Sequence, residues 1–236
     1  MGLWTALSAT GIFLPSVFPP PLRVARGFAD ELRSGRMLTD IVASLFRVGM
    51  GFCTAVALGI PAGLFVAHHK RWRAAFSPAI NFFRNLSPLA WIPFAILWFG
   101  VGDLPAIFLI FLSSIFPLVL ATMVAVDEIP SVYFRVAHEH NISGWELVRR
   151  VTFPAIVPHL ITALRVTAGV AWLVVVAAEM VAGRDGLGFA IMDSRNGLRT
   201  DLVVVGMIVI GTIGVVIDRL ITNLTRMPSV RWGYER

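Results

Sequence analysis

Lysine is nearly missing from this chain: of its 20 basic residues, all but Lys70 are arginines. A phosphate-binding loop of the form Gly-x-x-x-x-Gly-Lys-Ser/Thr needs a lysine to reach the terminal phosphates. Lys70 stands in His68-His69-Lys70-Arg71 with no such glycines, so the chain carries no ATP site of that kind. Cysteine is scarcer still. Cys53 is alone, which excludes an intrachain disulfide and a multi-cysteine metal site. Charge of either sign is sparse, at 14% of residues against about 25% in an ordinary soluble domain. No Ser, His and Asp fall at a catalytic spacing such as Gly-x-Ser-x-Gly, so no catalytic residue is expected. His138 and His140 are two apart and do not share a helix face, and His68 and His69 lie in a basic loop, so no metal site is expected either. There is no internal repeat and no low-complexity tract.

What fills the 236 residues is apolar, at 57%. About 20 apolar residues cross a bilayer core as a helix, which leaves room for five or six crossings and little else. Leu3 to Leu14 is a short apolar segment ended by Pro15, Pro19, Pro20 and Pro21. It suits a partial span, a short span or an interfacial helix; a secretory leader fits less well, because no basic residue precedes Arg23. Residues 22–40 mix charges with Val24, Phe28 and Leu32 at fourfold spacing, the pattern of an amphipathic helix at the interface. Spans are expected over Ile41–Ala67, Phe76–Gly100 (interrupted by Pro78, Pro88 and Pro93), Ala106–Val126, Ile156–Ala182 and Leu202–Ile221, with Gly183–Asp201 as a loop. The small residues of Ile41–Ala67 suit close helix approach in lipid. The expected organisation is therefore 1–40 as an apolar segment plus interfacial helix, and 41–236 as a transmembrane core that includes a polar loop at 127–154.

The net charge of +6 is spread over loops, and on a chain this apolar it marks membrane sidedness rather than nucleic-acid binding. Placing 68–75, 127–154 and the C-terminal end in the cytoplasm puts Lys70, Arg71, Arg73, Arg135, Arg149, Arg150, Arg219, Arg226, Arg231 and Arg236 inside. It leaves Arg23, Arg26, Arg33, Arg36, Arg184, Arg195 and Arg199 outside, a modest bias in the required direction.

Segment 127–154 is the most informative. Pro130-Ser131 reads as a helix start with Ser131 as N-cap, the helix running Val132 to His140 and ending at Asn141 in the left-handed conformation. Ser143-Gly144-Trp145-Glu146 reads as a capping box that opens a second helix, and Pro154 and Pro158 mark the return towards the membrane. Two short helices at an angle, exposed beneath the bilayer, are expected.

Tyr133-Phe134-Arg135-Val136-Ala137, then Asn141, then Phe153-Pro154, resemble the cytoplasmic "EAA" loop of permeases of binding-protein-dependent ABC importers. Ser87-Pro88-Leu89-Ala90-Trp91-Ile92-Pro93, Leu97-Trp98-Phe99-Gly100, Leu164-Arg165, Ala171-Trp172, Ala177-Ala178-Glu179-Met180 and Leu198-Arg199-Thr200-Asp201 are similar to the branch that imports nitrate, bicarbonate, taurine and aliphatic sulfonates. The resemblance implies a multi-pass protein of the bacterial inner membrane. It implies a homodimer of permeases, two ATPase subunits that use ATP, and a soluble or lipid-anchored substrate-binding protein, with no cofactor bound by this chain. It also implies that the loop is a coupling element docking on the ATPase, a role carried by Arg135, Val136, Ala137 and Asn141, with Ser143 and Gly144 opening the next helix. Arg135 stands where the family has glutamate and Asn141 where it has glycine, so a salt bridge made by that glutamate cannot form here.

Charges inside spans are costly, roughly 2.5–3.5 kcal/mol each on insertion scales, and usually face the bundle interior. Arg47, Arg84, Arg165 and Glu179 are thus candidates for the substrate path. The plainer readings are that Arg47 and Arg165 snorkel to the interface and that Glu179 pairs with an arginine. Gly183, Gly186 and Gly188 with Arg184 suggest an anion-friendly turn, or simply a flexible loop that packs on a binding protein. Trp91, Trp98 and Trp172 read as interface anchors or core packing. The expected fold is an all-α membrane bundle of five to six spans with a cytoplasmic coupling helix, and the expected function is passage of a small oxyanion. The rival is a self-sufficient secondary carrier or channel, which normally shows an inverted repeat.

Overall fold

Prolines and glycines set the helix boundaries. The computed structural model describes Trp4 and residues 19–223. The expected segment Leu3–Leu14, apart from Trp4, and the basic tail from Arg226 lie outside the described residues. Helix α1 (Pro21–Arg33) begins with proline at its first position, where no N–H is needed. It stops at Ser34, and Gly35 turns the chain with φ 77°. The interfacial helix expected over 22–40 is therefore cut there, and α2 (Arg36–His68, 33 residues) starts at once. Helix α3 (Lys70–Asn85) follows. The expected span Phe76–Gly100 is not continuous: the residue before a proline avoids the helical region, and the chain opens at Leu86–Ser87, passes a 3₁₀ turn at Pro88–Trp91, and resumes as α4 (Ile92–Phe99).

After Gly100 and Gly102, both at positive φ, come α5 (Asp103–Asp127) and α6 (Ser131–Glu139). A four-residue helix α7 (Gly144–Leu147) continues through a π turn (Val148–Thr152) into α8 (Phe153–Ala182). Helix α9 (Leu187–Asn196) occupies what reads in sequence as a loop, and α10 (Thr200–Asn223) closes the described chain. Among the described residues every regular element is helical. Four stretches are long and apolar enough to cross a membrane: α2, α5, Gly144–Ala182 and α10.

The residues fall into two compact units. Of the described residues, one gathers those up to Gly51 with Pro88–Ile110 and Trp172–Val216; the other gathers Phe52–Ser87, Phe111–Ala171 and those from Ile217 onward. In the second unit, α2 and α5 touch through glycine. A Cβ on Gly59 would lie 3.3 Å from the Ile115 carbonyl oxygen, and one on Gly63 would lie 2.8 Å from the Val119 carbonyl oxygen and 2.6 Å from Thr122 Cβ. Both contacts advance along the two helices together, so α2 and α5 run parallel. The intervening chain must therefore return to the side where α2 began. Helix α3, about 24 Å long at 1.5 Å per residue, supplies part of that return, and neither it nor α4 is by itself long and apolar enough to cross.

The second unit's core joins Ala125, Val126 and Ile129 to Ile156 and Leu160, with Ile60, Leu64 and Phe134 packed against it. A neighbouring cluster joins Val66, Ile80, Val119 and Met123. In the first unit, Trp172 is buried, donates its indole N–H to the Ile210 carbonyl (3.1 Å) and stands 3.2 Å from where a Cβ on Gly214 would lie, so it packs in the core rather than anchoring at the interface.

Glycine normally costs a helix about 1 kcal/mol relative to alanine. At Gly63 the sign should reverse, since an added methyl meets backbone. Gly63→Ala is expected to lower stability by about 1–3 kcal/mol, as overpacking does. Gly49→Ala, where nothing lies within 4 Å, should be neutral or stabilising. Denaturant unfolding of both variants in detergent checks the contrast.

Candidate functional site

The polar loop 127–154 is rooted in the second unit. Pro130, not Ser131, precedes the first turn of α6, and no side chain caps it. The far end closes as expected from Asn141. The Ile142 N–H donates to the Ala137 carbonyl (2.9 Å), the Asn141 N–H donates to the His138 carbonyl (2.9 Å), and Asn141 has φ 57°. This is a Schellman closure with asparagine at the position glycine usually takes. Ser143 precedes α7 but makes no side-chain cap, and Glu146 pairs with Arg150 (3.1 Å) instead of completing a capping box. Gly144 has φ 59°, a conformation that suits glycine.

The second helix does not stand at an angle to the membrane span; it merges with it. Proline at 154 cannot donate, and its ring would press on the carbonyl four residues back. The widened π turn just before it absorbs that conflict without ending the helix.

Helix α6 has a fixed rotation. Phe134 packs on the core and Ala137 is 3% exposed, whereas Val132, Tyr133 and Val136 are about half exposed. Ala137 is thus not on the free surface, contrary to the sequence expectation; its helix neighbour Val136 is. Arg135 is exposed, and Trp145 stands 76% exposed beyond it. Side chains lock the base of the element. Arg73 donates two hydrogen bonds to the Asp127 carboxylate (2.7 and 2.5 Å), and that partner holds its guanidinium above the usual range. His159 Nδ1 lies 2.8 Å from Glu128 Oε2, and His68 Nε2 lies 3.3 Å from the Thr152 hydroxyl.

The second constellation lies in the first unit and centres on Arg47. Its side chain is 1% exposed, so it does not snorkel. Nε donates to Asp103 Oδ1 (2.7 Å), and Nη1 donates to Glu179 Oε1 (2.8 Å) and to the Asp185 carbonyl (2.9 Å). Nη2 donates to Asp185 Oδ1 and lies 2.6 Å from Asp103 Oδ1. Every nitrogen of the guanidinium thereby donates at least one hydrogen bond.

Glu179 is equally saturated. It accepts from the Ser44 hydroxyl (2.9 Å) and from the Gly188 N–H (3.0 Å). Ser44 in turn accepts from the Leu187 N–H (3.0 Å), and Asp40 accepts from the Gly186 N–H (2.9 Å). The first N–H groups of α9 are thus capped by side chains of α2 and α8, with carboxylates at the end of a helix that favours negative charge. The glycine-rich turn does hold an anion, and that anion is the chain's own Glu179. A Cβ on Gly186 would lie 2.5 Å from the Glu179 carboxyl, and one on Gly188 would lie 2.2 Å from the Val176 carbonyl oxygen.

The other two candidates stand apart from this cluster. Arg165 is half exposed and bonded through Nε and Nη2 to both oxygens of Asp218 (2.5 and 2.8 Å). Arg84 is exposed on α3 with no ion pair among the described residues. The sequence reading missed Asp103, Asp185, Asp40 and Ser44. Its one available signal was an intramembrane arginine and an intramembrane glutamate that each needed partners.

Comparison with known proteins agrees with this architecture. The model for the inner membrane component of binding-protein-dependent transport systems matches residues 59–228, and the chain belongs to that family. It is 36% identical to the nitrate import permease protein of Synechocystis over 78% of this chain and 67% of that one. It is 35% identical to the bicarbonate transport system permease protein of Synechococcus elongatus over 78% and 67%. It is 28% identical to a putative aliphatic sulfonates transport permease protein of Bacillus subtilis over 98% and 84%. Its fold matches that of a chain in the inward-facing MetNI methionine ABC transporter, with TM-score 0.66 and 18% identity over 83% of this chain and 99% of that one. The protein is accordingly a multi-pass, all-α permease of the inner membrane.

Removing one member of a buried ion pair strands the other, at a cost of roughly 3–5 kcal/mol. Arg47→Met is expected to destabilise the protein by that order, and adding Glu179→Gln should recover a large part of it by removing the stranded charge. A double-mutant cycle of unfolding free energies in detergent reads the coupling.

Proposed function

We propose that this chain is the membrane-spanning permease subunit of an ATP-driven importer for a small oxyanion of the nitrate, bicarbonate, taurine or alkanesulfonate kind. It works as two copies with two ATPase subunits and a soluble or lipid-anchored binding protein, and segment 127–154 faces the cytoplasm. One observation carries the reading. Helix α6 is pinned by Phe134 and Ala137 so that Val132, Tyr133 and Val136 stay exposed, and Trp145 on the next helix is exposed too. Apolar side chains held outward on a polar loop, outside the spans, suit a groove on a partner protein. The names of the relatives support the substrate class. So does the charge left over: of the three arginines expected within spans, Arg47 and Arg165 are paired with carboxylates, and Arg84 is exposed with no ion pair among the described residues.

Val136→Asp is expected to leave the permease folded and to weaken ATPase binding by roughly 3 kcal/mol, a hundredfold or more in Kd, because docking would bury an unpaired charge. Ala137→Asp should instead destabilise α6 itself. Co-purification and titration of the ATPase with each variant separate the two effects; full binding by Val136→Asp sinks the docking assignment. ATP-independent uphill uptake by the purified permease alone in liposomes would favour the secondary-carrier reading.

Arg84→Ala in the assembled complex is expected to lower uptake several-fold without loss of subunits. Transport of radiolabelled nitrate, bicarbonate and taurine, each with its binding protein, provides the measurement. Unchanged rates for all three would remove Arg84 from the pathway.

A further inference from the structure

Helix α1 is held against the protein by one face only. On that face lie Val24, which is 6% exposed, and Gly27. A Cβ on Gly27 would lie 3.0 Å from Leu202 and 3.3 Å from the Asp201 carboxylate, so the helix sits against the start of α10. Arg23 reaches the same buried Asp201 at 3.8 Å, and Arg199 closes on it with two hydrogen bonds (3.1 and 2.9 Å). These contacts fix the rotation of α1.

The line of apolar residues that the sequence suggests is split by this rotation. Val24 points inward. Leu22, Phe28 and Leu32, which are 64%, 41% and 44% exposed, point away from the protein with Ala25 among them. At 100° per residue these four share one face, and Arg26 and Arg33 lie together along its edge. Both arginines are exposed, and neither has an ion pair among the described residues. Two residues later, beyond Gly35, the chain enters the membrane-spanning α2, whose first turns also expose Leu38 and Val42.

We propose that α1 is a lipid-interface element. Its apolar face enters the acyl boundary, and Arg26 and Arg33 take the phosphates of anionic headgroups. An apolar face with basic residues at its rim is the composition such a surface recognises, and a guanidinium matches a phosphate in geometry and in charge. A second copy of this chain suits the face less well, because a two-fold contact through it sets Arg26 and Arg33 against their own counterparts. The proposal rests on the membrane location of the protein and not on its substrate.

The test uses the full chain in nanodiscs of phosphatidylcholine, with and without phosphatidylglycerol. In a Cys53→Ser background, spin labels are placed at Ala25→Cys and Leu32→Cys on the apolar face and at Asp30→Cys on the polar side. Labels at 25 and 32 are expected to be reached by oxygen and shielded from a water-soluble nickel complex, and the label at 30 the reverse. Phosphatidylglycerol is expected to stabilise the detergent-solubilised chain against heat. Arg26→Gln with Arg33→Gln should raise the lipid concentration required by about twenty-fivefold, at about fivefold per arginine. Nickel access at 25 and 32 equal to that at 30 overturns the lipid assignment. So does dipolar broadening at 32 with neither reagent gaining access, which would place a protein partner there. A phosphatidylglycerol effect that is absent, or that survives the double substitution, overturns the headgroup assignment.

Discussion

A buried guanidinium with every nitrogen hydrogen-bonded is the constraint on which the first unit is organised. Arg47 and Glu179 are both fully buried in an apolar chain, where an unpaired charge would be untenable. Each therefore dictates the position of everything that satisfies it. Arg47 draws in Asp103 at the start of α5 and Asp185 in the turn before α9. Glu179 draws in Ser44 and the Gly188 N–H. Asp103 and Asp185 are about half exposed, so the buried pair is linked to solvent through two carboxylates rather than sealed off. Three acids answer one base, and the helix N-terminus at α9 supplies part of the missing positive charge. Glycine at 186 and 188 is then a consequence: the carboxylate occupies the space that side chains would need.

The second unit depends on packing instead. Glycines on α2 admit the backbone of α5, and the resulting core gives Phe134 a seat. That seat determines which side of α6 faces out. The ion pairs at its base, Arg73 with Asp127 and His159 with Glu128, are at least partly solvent-exposed, and such pairs contribute little each. They orient the segment more than they stabilise it, and the apolar anchor holds it.

Much of this was legible in the chain. Composition alone requires a membrane, and hydropathy locates α2, α5, α8 and α10 to within a few residues. Asn141 announces the end of α6 because few residues tolerate a left-handed backbone. The break at Leu86–Ser87 was visible as Pro88, but a proline says only that a helix is disturbed, not whether it bends or opens. Helix α9 was hidden for a different reason. Two of the N–H groups at its start are satisfied by residues more than a hundred positions away, and the third by Glu179 of the preceding helix, so the local sequence shows glycines and no cap. The same distance concealed the partners of Arg47. The inward turn of Ala137 and Val24 was equally beyond reach, since a short helix with apolar residues on two sides does not declare which side is covered.

The π turn at Val148–Thr152 leaves a mark on everything before it. Because the helix widens there instead of breaking, Gly144 to Ala182 is one uninterrupted run of 39 residues. Trp145 therefore stands on the same rod as Ile156 and Leu160, which are buried in the core of the second unit. No loop lies between them to take up slack. The free end is therefore tied to the core by continuous helix, and the extra residue of the wide turn sets the angle about its axis at which that end presents itself.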